Sequence, residues 1–199
     1  MLRGRIVTTE SDRLLQDAGR RYQDATFKSW RIGNDKWSSL RAQARDGVIT
    51  WLKTRARTGA NLVLLGTVGT GKDHLAVAAA RVIAEKGFSA RYVSALDLIE
   101  SYYRARRDGQ EQIAIGLRHC RVLVLSDPLP NGFTPSVEDC SILMRLIDER
   151  YRLRLPTIVT CNAMDAEDLR GSLGGPLSDR LVGSASMVVM RWPSHRSEN

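Results

Sequence analysis

Short uninterrupted apolar runs alternate along this chain with segments whose apolar residues recur every three or four positions. Leu62-Val63-Leu64-Leu65 and Val122-Leu123-Val124-Leu125 are such runs, and Leu155 to Asn162 carries another. Strands buried on both faces read this way. Trp37, Leu40, Ala44, Val48, Trp51 and Leu52 follow helical spacing, which predicts an amphipathic helix over 36–57. The remaining pattern predicts strands at Asn61–Leu65, Ala90–Ser94, Val122–Ser126, Thr157–Cys161 and Met187–Arg191. Helices are predicted over 72–86, 95–107 and Val137–Arg152, with short helices to about 182. Strand–helix alternation of this kind predicts an α/β fold, a parallel sheet flanked by helices with its ligand at the carboxyl edge. Residues 1–35 are polar and charged with few apolar anchors, and read as a short basic N-terminal arm punctuated by Asp24 to Trp30. Residues 36–199 read as one domain.

The first predicted strand runs into Gly66-Thr67-Val68-Gly69-Thr70-Gly71-Lys72, and a helix beginning near His74 follows. Glycines at these positions let the backbone fold around a pyrophosphate with its N–H groups pointing inward, and the helix N-terminus adds a positive dipole end. Lys72 supplies a point charge for the outer phosphates. A Gly-rich turn with a surface lysine is the plainer reading, and three glycines plus the lysine at this spacing favour nucleotide. The next position ordinarily carries Ser or Thr, whose hydroxyl coordinates Mg²⁺; here it is Asp73. Val122–Leu125 ends in Ser126-Asp127-Pro128 where an acidic pair is usual. Either Ser126 takes the metal-acid position with Asp127 as a shortened base, or Asp127 is the metal acid and no base follows. A loop carboxylate and a strand hydroxyl together predict that Asp73 and Ser126 have exchanged roles around Mg²⁺, with the local charge unchanged.

Composition changes this picture in one respect. The net charge of +8 comes from 25 Arg against 5 Lys, and arginine suits phosphate backbones because its fork binds oxygens bidentately and its plane stacks on bases. Tyr102-Tyr103-Arg104-Ala105-Arg106-Arg107 interleaves rings and cations as a single-strand platform would, which makes Tyr103, Arg104, Arg106 and Arg107 candidate DNA contacts. The alternative is a tyrosine packed on the core with arginines at a helix C-terminus. Cys120, Cys140 and Cys161 are scattered without metal-like spacing and read as reduced thiols. No apolar run approaches 18 residues and no leader-like stretch follows Met1, so a soluble, cytoplasmic protein is expected.

The chain resembles the DnaC/IstB-type branch of the AAA+ ATPases, bacterial helicase loaders and transposition helpers. The resemblance is carried by Gly69-Thr70-Gly71-Lys72-Asp73-His74-Leu75-Ala76, Ala25-Thr26-Phe27, Pro156-Thr157 through Asn162, Asp179-Arg180-Leu181 and Arg191-Trp192-Pro193-Ser194-His195-Arg196. It implies an AAA+ P-loop domain, without an extended C-terminal lid, that binds ATP and Mg²⁺ through Gly66 to His74. Asn162 would sense the γ-phosphate, Arg180 would act in trans on a neighbour's nucleotide, and Arg196 would sense in cis. It further implies a homo-oligomer that grips single-stranded DNA and helps load a replicative helicase. A transposition helper and a non-hydrolysing adaptor are the alternatives. The altered acidic pair at Ser126-Asp127 departs from the family pattern and predicts weak or absent hydrolysis.

Overall fold

The computed structural model describes residues 8–108, 112–128, 135–173 and 175–195. Five strands, β1 (Leu62–Gly66), β2 (Ala90–Ser94), β3 (Val122–Ser126), β4 (Thr157–Cys161) and β5 (Ser186–Met190), form one parallel sheet in the order β2-β3-β4-β1-β5. The helices in chain order are α1 (Glu10–Ala18), α2 (Ser38–Thr54), α3 (Lys72–Ala84), α4 (Ala95–Asp108), α5 (Gln112–His119), α6 (Val137–Arg152), α7 (Ala166–Leu173) and α8 (Gly175–Val182).

Alternation along the strands builds two cores. Leu62, Leu64, Val122, Val124 and Ile158 face α2 and α3, while Val63, Leu65, Leu123, Leu125 and Val159 face the cluster that includes residues of α4, α6 and α8. Every residue of β1, β3 and β4 is buried, which is why these strands read as continuous apolar runs. β2, β3, β4 and α6 fall on their predicted bounds, whereas β1 and β5 shift by one residue and α2 starts and ends inside 36–57.

The stretch read as an arm packs on the domain from α1 onward. Leu14 and Leu15 are buried, and Tyr22 lies 6.1 Å from Tyr92 of β2 between ring centroids. Asp17 bonds Arg91 and accepts weakly from the Tyr92 N–H. Helix α1 thereby covers edge strand β2, which would otherwise offer an unpaired ladder.

Candidate nucleotide site

β1 and α3 are joined by the glycine loop, whose conformation the sequence dictates. Gly69 and Gly71 have φ of 84° and 95°, in the left-handed region. A Cβ on Gly71 would meet the Trp30 ring at 2.6 Å, and one on Gly69 would overlap Ser194. The loop is thus packed from behind by segments that precede β1 and follow β5, and from the latter the Trp192 indole N–H donates to Thr70 O (3.1 Å) and the His195 N–H to Gly69 O (3.0 Å). Helix α3 then runs through Leu75 and the apolar-small stretch Ala76 to Ala80, all buried, so it can lie close against the sheet.

Lys72, buried at the start of α3, donates to Gly66 O and Thr67 O at 2.8 Å and to Asn162 Oδ1 at 2.9 Å. The Asn162 amide donates in turn to Asp127 Oδ2 at 2.9 Å. Loop, β4 end and β3 end are thereby linked by one polar relay. Asp127 sits at φ 46°, a left-handed conformation that Asp tolerates better than most residues. Its Oδ1 is buried with no partner. Burial pushes its carboxyl pKa up, Lys72 pulls it partly back, and Asp73 pushes it up again.

A second cluster follows from sheet register. Ser126 and Thr160 are paired across β3 and β4, and the first turn of α3 places Asp73 within reach of both hydroxyls. Asp73 Oδ1 accepts from Ser126 Oγ at 2.8 Å and from Thr160 Oγ1 at 2.7 Å. Burial, and secondarily the Asp73 charge, raises the Tyr92 phenol beside Ser126, so Tyr92 stays a neutral hydroxyl. Cys161 is pushed up to about 11 by burial first and Asp127 second, which leaves it a neutral, unreactive thiol.

An unpaired buried carboxylate oxygen, a second carboxylate and two hydroxyls form a hard oxygen donor set of the kind Mg²⁺ takes. Among the described residues no group of three or more His, Cys, Asp or Glu could hold a metal ion. The set therefore fits an ion shared with phosphate oxygens, which needs only one or two protein carboxylates.

A family model described as IstB-like ATP binding protein matches residues 43–199. The chain belongs to that family. Relatives of this IstB-like domain include the replicative helicase loader DnaC of Escherichia coli K12, 24% identical over 88% of this chain and 71% of that protein. An insertion-sequence ATP-binding protein of Sinorhizobium fredii is 32% identical over 69% of this chain and 47% of its own length. The crystal structure of the DnaC helicase loader superposes with a TM-score of 0.76 at 23% identity, over 86% of this chain and 99% of that one. AMPPCP-bound DnaA from Aquifex aeolicus gives 0.68 at 19% identity, over 83% and 50%. The fold is that of the AAA+ P-loop proteins.

Within this IstB-like domain the structure brings Lys72, Asp73, Ser126, Asp127 and Asn162 together and sets others of the expected site residues elsewhere. His74, expected against the nucleotide, instead bonds Thr26 O through Nε2 (2.9 Å) and packs against Trp30, so it fastens the N-terminal segment to α3. Tyr103 is not a free stacking ring: it packs on the core and its hydroxyl donates to Asp139 (3.1 Å), where a capping box opens α6. Arg104 and Arg106 are exposed and paired with Glu100 and Glu138, and Arg107 is exposed. Arg180 pairs with Asp148 (3.0 Å), and its carbonyl accepts from Asn61 ahead of β1, at the sheet end opposite the loop. It cannot serve its own chain's loop from there. Arg196 lies outside the described residues. Thr160, Trp30 and Trp192 were not anticipated as site residues. Thr160 was legible in principle, since two-residue periodicity puts it on the face of Asn162.

Proposed function

We propose that this chain binds ATP with Mg²⁺ in the cytoplasm and self-assembles on single-stranded DNA to help load a replicative helicase. The observation that carries the nucleotide reading is the relay from Lys72 through Asn162 to Asp127 at the mouth of the glycine loop. Lys72 would exchange its carbonyl partners for phosphate oxygens, a charge-assisted contact roughly twice as strong as a neutral one. Asn162 would report that exchange to Asp127. Asp73, Ser126 and Asp127 would hold Mg²⁺, and the bound ion would offset the phosphate charge. Asp73 and Ser126 exchange the usual loop and strand roles, for which their 2.8 Å contact is the support. With Asp127 given to the ion, Pro128 follows where a water-activating Glu is usual, and hydrolysis is correspondingly slow. Arg180 would act in trans between protomers, and exposed Arg104, Arg106 and Arg107 would follow a DNA backbone.

Similarity to DnaC spans 88% of the chain, and that breadth favours the helicase-loading reading. A second reading, service to a transposase, is favoured by the higher identity of the insertion-sequence relative. Titration with a fluorescent ATP analogue tests the site. Lys72→Ala is expected to weaken binding at least about 100-fold, near 2.7 kcal/mol. Unchanged affinity would remove the phosphate-loop reading. Paired pull-downs with replicative helicase and with transposase separate the two partner readings.

A further inference from the structure

At the end of the sheet opposite the glycine loop, a groove of about 870 Å³ opens between α2, α3 and the starts of β2, β3 and β4. It lies about 20 Å from the loop, the length of α3 at 1.5 Å per residue. Its floor is formed by side chains such as Ile49, Leu52, Ile83 and Phe88. Phe88 is 52% exposed and extends this contiguous apolar surface. Lys53, Arg57, Lys86 and Arg121 stand around this floor. None of the four pairs with a carboxylate among the described residues, and no Asp or Glu lines the groove.

We propose that this groove is a docking site for an amphipathic helix of a partner protein, one whose apolar stripe is flanked by Asp and Glu. The floor takes apolar side chains at helical spacing, as helix-in-groove recognition requires. The four cations match carboxylates on either side of that stripe, which sets orientation and excludes basic segments. Nucleic acid suits the cations but not the floor, because bases stack on flat ring faces and this floor is mostly aliphatic and concave. A second copy of this chain would bring a net charge of +8 against a positive rim. The proposal concerns a surface separate from the nucleotide site and stands whichever partner that site serves.

The test uses the full chain and a displayed library of random 16-residue peptides, followed by anisotropy of the enriched peptides after labelling. Enriched sequences are expected to carry Leu, Ile or Phe at i, i+3 or i+4, and i+7, with flanking acids. Leu52→Glu, or the milder Phe88→Ala, should weaken their binding at least tenfold. Lys53→Glu with Lys86→Glu should reverse preference toward a peptide whose acids are replaced by Lys. Affinity for the fluorescent ATP analogue should stay within twofold in all three variants, which shows an intact fold. Peptides indifferent to these substitutions, or no enrichment, would overturn the proposal. So would variants that lose binding to a 20-mer of deoxythymidine instead of peptide, which assigns the groove to nucleic acid. A changed sedimentation profile of Phe88→Ala that peptide does not reproduce would assign it to self-association.

Discussion

The two ends of the sheet treat charge in opposite ways. At the carboxyl edge, Lys72, Asn162 and Asp127 satisfy one another, and Asp73 is held by two hydroxyls, so nearly every polar group there has a partner. At the amino edge, the groove's four cations stand over apolar side chains without a carboxylate. A preformed network limits the reorganisation needed when charge arrives, whereas a rim without carboxylate partners among the described residues leaves its electrostatics for another molecule to complete. One residue at the amino edge breaks this contrast. Arg150 is fully buried with no carboxylate partner among the described residues, and burial pulls its pKa down. Its guanidinium donates to Leu117 O, Cys120 O and Pro156 O at 2.7–3.0 Å and to Thr157 Oγ1 at 3.0 Å. It ties the approach to β3 and the start of β4 to the end of α6.

The sharpest way to probe the comparison is to remove the buried cation and a rim cation in parallel. Arg150→Met should orphan three or more buried acceptors at about 1–3 kcal/mol each, several kcal/mol in sum. Lys53→Met should change stability by less than about 0.5 kcal/mol. Urea unfolding of both variants measures this, and equal losses would erase the distinction between a structural cation and a free rim.

The carboxyl edge is tested by a double-mutant cycle on Asp73 and Ser126. Ser126→Asp alone sets two carboxylates in contact, and Asp73→Thr alone leaves the metal one acid fewer. The double variant should recover Mg²⁺-dependent nucleotide binding with a coupling of about 1–3 kcal/mol. Simple additivity would mean that the two residues do not share one ion.

The smallest effect concerns cations that do have partners. Arg104 and Arg106 hold exposed pairs with Glu100 and Glu138, contacts of the kind worth about 1 kcal/mol or less. They can be given up to phosphate at little cost. Replacing Arg104, Arg106 and Arg107 by Ala should lower the salt slope of single-strand binding by about 2, at roughly 0.7 per phosphate contact. An unchanged slope would leave these arginines as a solvated helix end.

β1, β3 and β4 were legible because they are buried on both faces, so their apolar runs have sharp edges such as those at Ser126 and Cys161. Helix α5 was not, being eight residues long and beginning with a polar residue. The packing of α1 escaped notice because Leu14 and Leu15 are adjacent, and each joins a different cluster. Loop spacing alone placed Lys72 and Asp73 at the start of a helix, where the structure sets them. Two-residue periodicity puts Thr160 on the face of Asn162, but its place beside Ser126 depends on which strands are neighbours, a property of sheet order. His74 misled for a related reason: its place in a nucleotide-binding motif says nothing about which way its ring turns.

The indoles of Trp30 and Trp192 both touch the backbone of the glycine loop and lie edge to face, 6.3 Å apart between ring centroids. Trp51 is occupied with Ala60 O, and Trp37 sits under Lys36. The chain therefore carries its own optical probe. With Trp37 and Trp51 replaced by Phe, the remaining emission comes from two rings in contact with the loop, and a shift in its colour or lifetime follows loop occupancy without any label.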